Sequence, residues 1–218
     1  MRFLIPSLCF LPGNINLIDG SPSVRRLFID KLCALFYPAY AKRLAEFKLI
    51  SRNRSALLKQ NKSPNITNIP FCKLGGWIMD KRREVISQLM SLINPQKITL
   101  SFLPLLTNSQ TGALANLQMN SQNVLQRNSR TSSQKISGME ELSCEISGQK
   151  YLYNFLQANS KRELYAQRPL CGPNYDELAI IISSNGRLAS EALSRGQKRR
   201  LVLYLIITAG KLIAKRLK

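Results

Sequence analysis

Apolar positions recur at helical spacing along most of this chain. Ser21-Pro22 offers an N-cap residue followed by proline at the first helical position, and Val24, Leu27, Phe28, Leu32 and Leu35 follow on one face, so the pattern predicts a helix over 22–35. Pro38 restarts the chain, and Tyr40, Leu44, Phe47, Ala56, Leu57 and Leu58 extend a second helical pattern to about Gln60. Residues 61–70 hold two prolines and three asparagines, which predicts a linker or loop. Ile78, Val85, Leu89 and Leu92 predict an amphipathic helix over 76–93. The stretch Lys97 to Phe102 alternates with period two and predicts a half-buried strand. Residues 107–138 are rich in Ser, Asn and Gln without periodicity, the composition of a poorly ordered segment. Tyr151 to Leu164 reads as helix, and Leu178 to Ile182 as a strand entering an Asn185-Gly186 hairpin turn. A last helix is predicted from Gly196 to the end, with Leu201, Leu205, Ile206, Leu212 and Ile213 inward. This order implies a mixed α/β or α+β chain in which helices dominate the middle.

Composition narrows the chemistry. The 218 residues include 32 Lys+Arg, 12 Asp+Glu and no histidine, for a formal net charge of +20. Without histidine there is no Ser-His-Asp or Cys-His nucleophile system, no His-ligated zinc and no imidazole proton shuttle. The five cysteines (Cys9, Cys33, Cys72, Cys144, Cys171) are odd in number and never at C-x-x-C spacing. They point to thiols in a reducing compartment rather than to disulfides or a zinc site. The N-terminal apolar run is interrupted by Pro6 and has no small-x-small cleavage site, and Leu201 to Ala209 is too short to span a bilayer. A cytoplasmic, membrane-free protein is expected. The basic charge is spread along the chain, with 11 basic and 3 acidic residues in 1–62 and 13 and 7 in 139–218. A basic surface on a folded protein, facing a polyanion, fits that spread better than a basic tail.

The most informative segment is Leu193-Ser194-Arg195-Gly196-Gln197, directly ahead of the last helix. Such a turn places a hydroxyl, open backbone N–H groups and the positive end of a helix dipole toward one point, which suits a phosphate. The pentapeptide resembles the signature motif of ABC-type ATPases. The block Phe10-Leu11-Pro12 through Asp19-Gly20-Ser21-Pro22-Ser23-Val24-Arg25-Arg26 and Phe28-Ile29-Asp30 resembles the RecF family of that class. Arg52-Asn53-Arg54-Ser55-Ala56-Leu57-Leu58-Lys59 is similar to the family's basic segment, and Gly172-Pro173-Asn174-Tyr175-Asp176-Glu177-Leu178 to its Gly-Pro-His-Arg-Asp-Asp-Leu block. The blocks occur in the family's order, and residues 63–170 match only loosely.

The resemblance implies a helical lid or arm region beside a partial ABC-type ATPase lobe: a strand and loop in 1–20, the lid over 21–170, and the hairpin, signature motif and following helix in 171–218. It also implies that Ser194, Arg195, Gly196 and Gln197 contact ATP held, with magnesium, by an opposite subunit. The departures are specific. These 218 residues contain no G-x-x-x-x-G-K-[ST] loop and no apolar strand ending in paired acids, Gly13-Asn14 stands where the family has an acidic pair, and Asn174-Tyr175 where it has His-Arg. No catalytic residue and no metal ligand is assigned, and the chain alone is expected neither to bind nor to hydrolyse ATP.

The partners implied by the resemblance are single- and double-stranded DNA, a second copy in a homodimer, and recombination-mediator proteins. The phosphate-contact candidates are Arg25, Arg26, Lys42, Arg43, Arg52, Arg54, Lys59, Lys198, Arg199 and Arg200. No zinc finger, helix-turn-helix or aromatic platform reads base sequence, and Trp77 is expected in a core. Two other readings remain: a basic nucleic-acid-binding protein of ribosomal type, which predicts the same charge, and a dimerisation or interaction module, which needs no polyanion.

Overall fold

The computed structural model describes residues 12–93, 98–103 and 147–217. They form two compact units, one drawn from 1–40, 82–103 and 177–218 and the other from 41–81 and 104–176. The predicted poorly ordered segment at 107–138 lies outside the described residues, as do residues 1–11 of the expected strand and loop.

The first unit starts with a 3-10 turn over Pro12–Ile15 and a single helical turn, α1, over Asn16–Asp19. Helix α2 spans Pro22–Phe36, close to its prediction, with Pro22 at the first position where its missing N–H costs nothing. Its buried residues are Ile29, Leu32 and Cys33. Leu27 and Leu35, expected inward, are instead half exposed, at 53% and 51%. The packing of α2 on the strand Glu177–Ile182 and on the last helix selects the narrower face. Strands β1 (Ile98–Leu103) and β2 (Glu177–Ile182) pair antiparallel, Ile98 opposite Ile182 and Leu103 opposite Glu177. After β2 the chain reverses as Asn-Gly predicts: Gly186 takes a left-handed φ of 66° and donates to the Ile182 carbonyl at 2.8 Å. The return strand is only the bridge of Leu188 to Ile181, because a short helix begins at once at Ala189–Ala192. The last helix covers Arg195–Leu217 and buries all five residues predicted to face inward.

A buried polar cluster ties α2 to the chain that follows it. Arg82 donates to both carboxylate oxygens of Asp30, from Nε at 2.9 Å and Nη2 at 3.1 Å, and the Tyr40 hydroxyl donates to the same carboxylate at 2.5 Å. A bidentate arginine–carboxylate fork of this kind fixes orientation as well as charge balance.

The second unit contains α3 beyond its first residue (the helix spans Tyr40–Lys59), most of α4 (Asn65–Met90), and α5 (Gly148–Ala166). Helix α3 closes on Asn61, whose left-handed φ of 53° lets Lys62 N–H reach the Leu57 carbonyl at 2.9 Å and Asn61 N–H the Leu58 carbonyl at 3.0 Å. The predicted loop over 61–70 then gives way early. Helix α4 starts at Asn65 and continues through Pro70, which removes one backbone hydrogen bond near an exposed first turn. Tertiary contacts compensate, and they centre on Arg54.

Arg54 is 1% exposed. Its guanidinium donates to Glu163 Oε2 at 2.5 Å, to Asn68 Oδ1 at 2.6 Å, to Thr67 Oγ1 at 2.9 Å and to the Pro64 carbonyl at 3.3 Å. Glu163 uses its other oxygen to accept from Leu170 N–H at 2.9 Å. One side chain of α3 thereby holds the first turn of α4, the buried face of α5 and the segment after α5. Glycines set the close approaches. A Cβ on Gly76 would lie 2.1 Å from the backbone nitrogen of Gln149, so α4 and the start of α5 meet backbone to backbone, and Asp80 accepts from Gly148 N–H at 2.9 Å at the positive end of α5. Gly172 combines φ of 111° with a Cβ position 3.1 Å from Phe71 and 3.2 Å from Phe47.

Two predictions test this frame. Glu163→Gln leaves the Arg54 charge buried without its partner and is expected to lower the unfolding free energy by about 3–5 kcal/mol in urea titrations, whereas the pair Arg54→Met/Glu163→Leu costs less than that single change. Gly76→Ala should destabilise by about 1–3 kcal/mol, since the overpacking outweighs the better helix propensity of alanine. A wild-type urea midpoint for either single variant would contradict the packing described.

Candidate nucleotide and nucleic-acid interface

The Leu193–Gln197 turn joins the short helix α6 (Ala189–Ala192) to α7 (Arg195–Leu217). Leu193 is extended, and Ser194 precedes the first helical residue. Ser194 N–H donates to Gln197 Oε1 at 2.8 Å, and Gln197 N–H points back to Ser194 Oγ at 3.4 Å. This is a capping box, closed reciprocally by serine and glutamine. Among the described residues no hydrogen bond uses the backbone N–H of Arg195 or Gly196, the two donors such a box leaves over. All four residues from Ser194 to Gln197 are exposed, and a Cβ built on Gly196 meets nothing within 4 Å. Packing inside this chain gives no reason for a glycine there. The geometry offers open N–H groups, a hydroxyl and a helix-dipole terminus to an anion arriving from outside.

The structure brings this turn together with the Asp19–Arg26 block. Lys198 Nζ donates to Asp19 Oδ1 at 2.7 Å. Arg25 donates to Glu177 Oε1 at 2.6 Å, to the Gly20 carbonyl at 2.8 Å and to the Ile18 carbonyl at 3.3 Å. Two candidate phosphate contacts thus clasp the turn at 18–20 instead of standing open. Arg26 is half-buried and engaged, whereas Arg195, Arg199 and Arg200 are exposed at the head of α7.

In the second unit, Lys42, Arg52 and Lys59 are exposed. Arg43 lies over the Trp77 ring at 4.2 Å, and that ring is half-buried under it rather than in the core as expected. Arg54, a phosphate-contact candidate by sequence, is not placed to meet a phosphate: nothing near it in sequence shows Glu163, 109 residues away, and its side chain is taken up in the buried network above. The Gly172–Leu178 block is also structural: Tyr175 donates to the Pro169 carbonyl at 2.6 Å, Asn174 to Ser51 Oγ at 3.4 Å, Asp176 is buried, and Glu177 pairs with Arg25.

The described thiols are packing groups. Burial, with Asp30 adding to it, pushes Cys33 up to about 12, and burial pushes Cys72 up to about 11. Cys171 moves in the same direction for the same reason. Thiols held protonated in this way are poor nucleophiles and poor metal ligands. Burial also raises the Tyr37 phenol to about 12. Among the described residues no group of acids and cysteines is placed to hold a metal ion, and no helix is long and apolar enough to cross a membrane. The donor set at the head of α7 suits an anion such as a phosphate group.

No family model matches the chain. It is similar to the DNA replication and repair protein RecF of Oenococcus oeni, 26% identical over 203 residues, covering 90% of this chain and 49% of the relative. RecF of Leptospira interrogans is 35% identical over 95 residues, 40% of this chain and 26% of the relative. The chain spans about half the length of the curated relatives it matches end to end. In fold it is similar to solved structures of the recombination mediator protein RecF in the RecFOR pathway, as RecF-ATPrS (TM-score 0.69, 20% identity) and as RecF-ATP (0.67, 19%). These cover 95% of this chain and 51% and 50% of the solved chains. Blocks of sequence in the right order and one shared fold lead to the same place: the chain is similar to RecF proteins over most of its length and has the fold of their solved structures.

Proposed function

We infer that the chain works in DNA replication and repair as a RecF-like protein that holds single- and double-stranded DNA through phosphates and senses ATP bound by an opposing subunit. The observation that carries this reading is the open head of α7. Ser194 and Gln197 close a capping box, two N–H donors are left over, and Gly196 keeps the space above them clear. A phosphate approaching there meets donors already oriented and a helix dipole of the right sign. A homodimer, the arrangement expected of the family, supplies the opposing nucleotide. Recombination mediators are the expected protein partners, as the RecFOR pathway named for the solved relatives suggests.

DNA contact on this reading falls to the exposed cations: Arg195, Arg199 and Arg200 at the head of α7, and Lys42, Arg52 and Lys59 on α3. Arg25, Lys198 and Arg54 already have internal partners, so their contribution is to shape rather than to affinity. Contacts to phosphate carry no sequence information, and the binding is non-specific.

Affinity for a gapped duplex, followed by fluorescence anisotropy, is expected to fall by about a thousandfold between about 50 and about 200 mM salt and to vary little with sequence. Salt-independent binding, or none, would contradict the DNA assignment. Gly196→Ala is expected to leave the thermal midpoint unchanged or slightly raised, because the added methyl meets open space. The purified chain should release no phosphate from Mg-ATP. Turnover that persists through purification and disappears in Ser194→Ala would sink the trans-sensing role.

A further inference from the structure

Helix α5 carries one carboxylate, Glu163, and folding takes it inside against Arg54. What remains outside carries no acid, and among its neutral residues stand cations and two rings. Lys150, Tyr153, Lys161, Arg162 and Tyr165 face solvent, and Arg168 follows just beyond the helix end. Tyr153 is 47% exposed and Tyr165 is 95% exposed. Among the described side chains no other aromatic residue is exposed, so both open rings of the described protein lie on this one helix.

Their placement is ordered. Tyr153 and Gln157 before Asn159, and Lys161 and Tyr165 after it, are spaced four apart and form a two-part ridge on the exposed side of α5. The opposite side, through Leu152, Leu156 and Glu163, is buried. The helix kinks at Asn159, which has a φ of −118° and ψ of 16°. The Asn159 amide donates to the Phe155 carbonyl at 3.0 Å, and its oxygen accepts from Arg162 Nη1 at 3.2 Å. The kink therefore holds one cation of the face beside the ridge. By contrast, the exposed residues of α3 combine Lys42, Lys48, Arg52 and Lys59 with Glu46, and none of them is aromatic.

We propose that the outer ridge of α5 is a platform for single-stranded DNA, on which Tyr153 and Tyr165 stack against unpaired bases while the flanking Lys150, Lys161, Arg162 and Arg168 neutralise phosphates. This rests on the nucleic-acid reading above and adds to it a strand preference with its own residues. The charge of the face is complementary to a polyanion, and the rings decide which one. A duplex hides its base faces within its own stack and offers these tyrosines nothing, whereas every unpaired base presents a π-face whatever its identity. An acidic protein segment would answer to the lysines without needing two open rings.

The test compares the wild-type chain with Tyr153→Ala/Tyr165→Ala and with Tyr165→Phe, using labelled oligo-dT and a duplex of equal length at one salt concentration. The double variant is expected to bind oligo-dT about tenfold or more weakly and the duplex within about twofold of wild type, since stacking reports on bases and not on phosphates. Tyr165→Phe keeps the ring and should stay close to wild type. On the unaltered protein, bromodeoxyuridine oligonucleotides should photocross-link to the peptides holding Tyr153 or Tyr165, a readout independent of variant folding. Unchanged oligo-dT affinity in the double variant, or equal loss on both DNAs, overturns the platform and leaves the DNA reading intact. Poly-glutamate bound as tightly as oligo-dT, with the same dependence on the two rings, reassigns the face to an acidic protein partner. Wild-type protein that binds neither DNA removes both proposals together.

Discussion

Arg54 carries the structural logic of the second unit. A guanidinium taken out of water must be matched by acceptors on several sides, and here four residues from two stretches of chain supply them: Pro64, Thr67 and Asn68 at the start of α4, and Glu163 on α5. Each acceptor satisfies part of the charge, and each is in turn held in place by it. Such a pair adds little net stability over a well-packed apolar alternative, because desolvation offsets the attraction. Its effect is on geometry: it decides where α4 begins, despite Pro70, and which side of α5 turns inward. That second choice places Glu163 in the interior and leaves the solvent side of α5 without an anion.

The first unit uses ion pairs differently. Arg25 with Glu177 and Lys198 with Asp19 are partly exposed, with side-chain exposures of 15%/25% and 15%/39%, and solvent screens them. They clasp the turn at 18–20 between α2, β2 and the head of α7. The Arg82–Asp30 fork is drier, with exposures of 3% and 14%, and joins Tyr40 to the same cluster. A net charge of +20 is therefore not a uniform coat. Several cations are used to hold the fold, and those remaining in solvent define the faces open to a polyanion.

The two proposed faces follow from these internal commitments. At the head of α7, the capping box consumes the serine and glutamine side chains and leaves Gly196 and two backbone donors open. On α5, burial of the lone acid leaves cations beside two exposed rings. One face is suited to a terminal phosphate and the other to a flexible polyanion with bases. Each lies within its own unit, so each can be altered without dismantling the other.

Local pattern alone determined much of this protein. The bounds of α2, β1 and β2, the Asn185-Gly186 reversal, the inward residues of α7 and the Ser194–Gln197 turn all depend on neighbours within a few residues, where spacing and capping chemistry act directly. The four blocks that resemble the RecF family were equally legible, and the solved relatives share their fold. What could not be read was whatever depends on a partner distant in sequence. Asn65 to Pro70 reads as loop until Arg54 supplies donors for its first turn. Arg54 reads as a surface cation until Glu163 arrives from 109 residues away. The aromatic ridge of α5 stayed hidden because periodicity identifies the face that is buried, whereas the chemistry of the opposite face depends on which charges the core has withdrawn from it. Short-range patterning set the elements and the turn at the head of α7, and only tertiary burial decided which of the described basic residues remain in solvent.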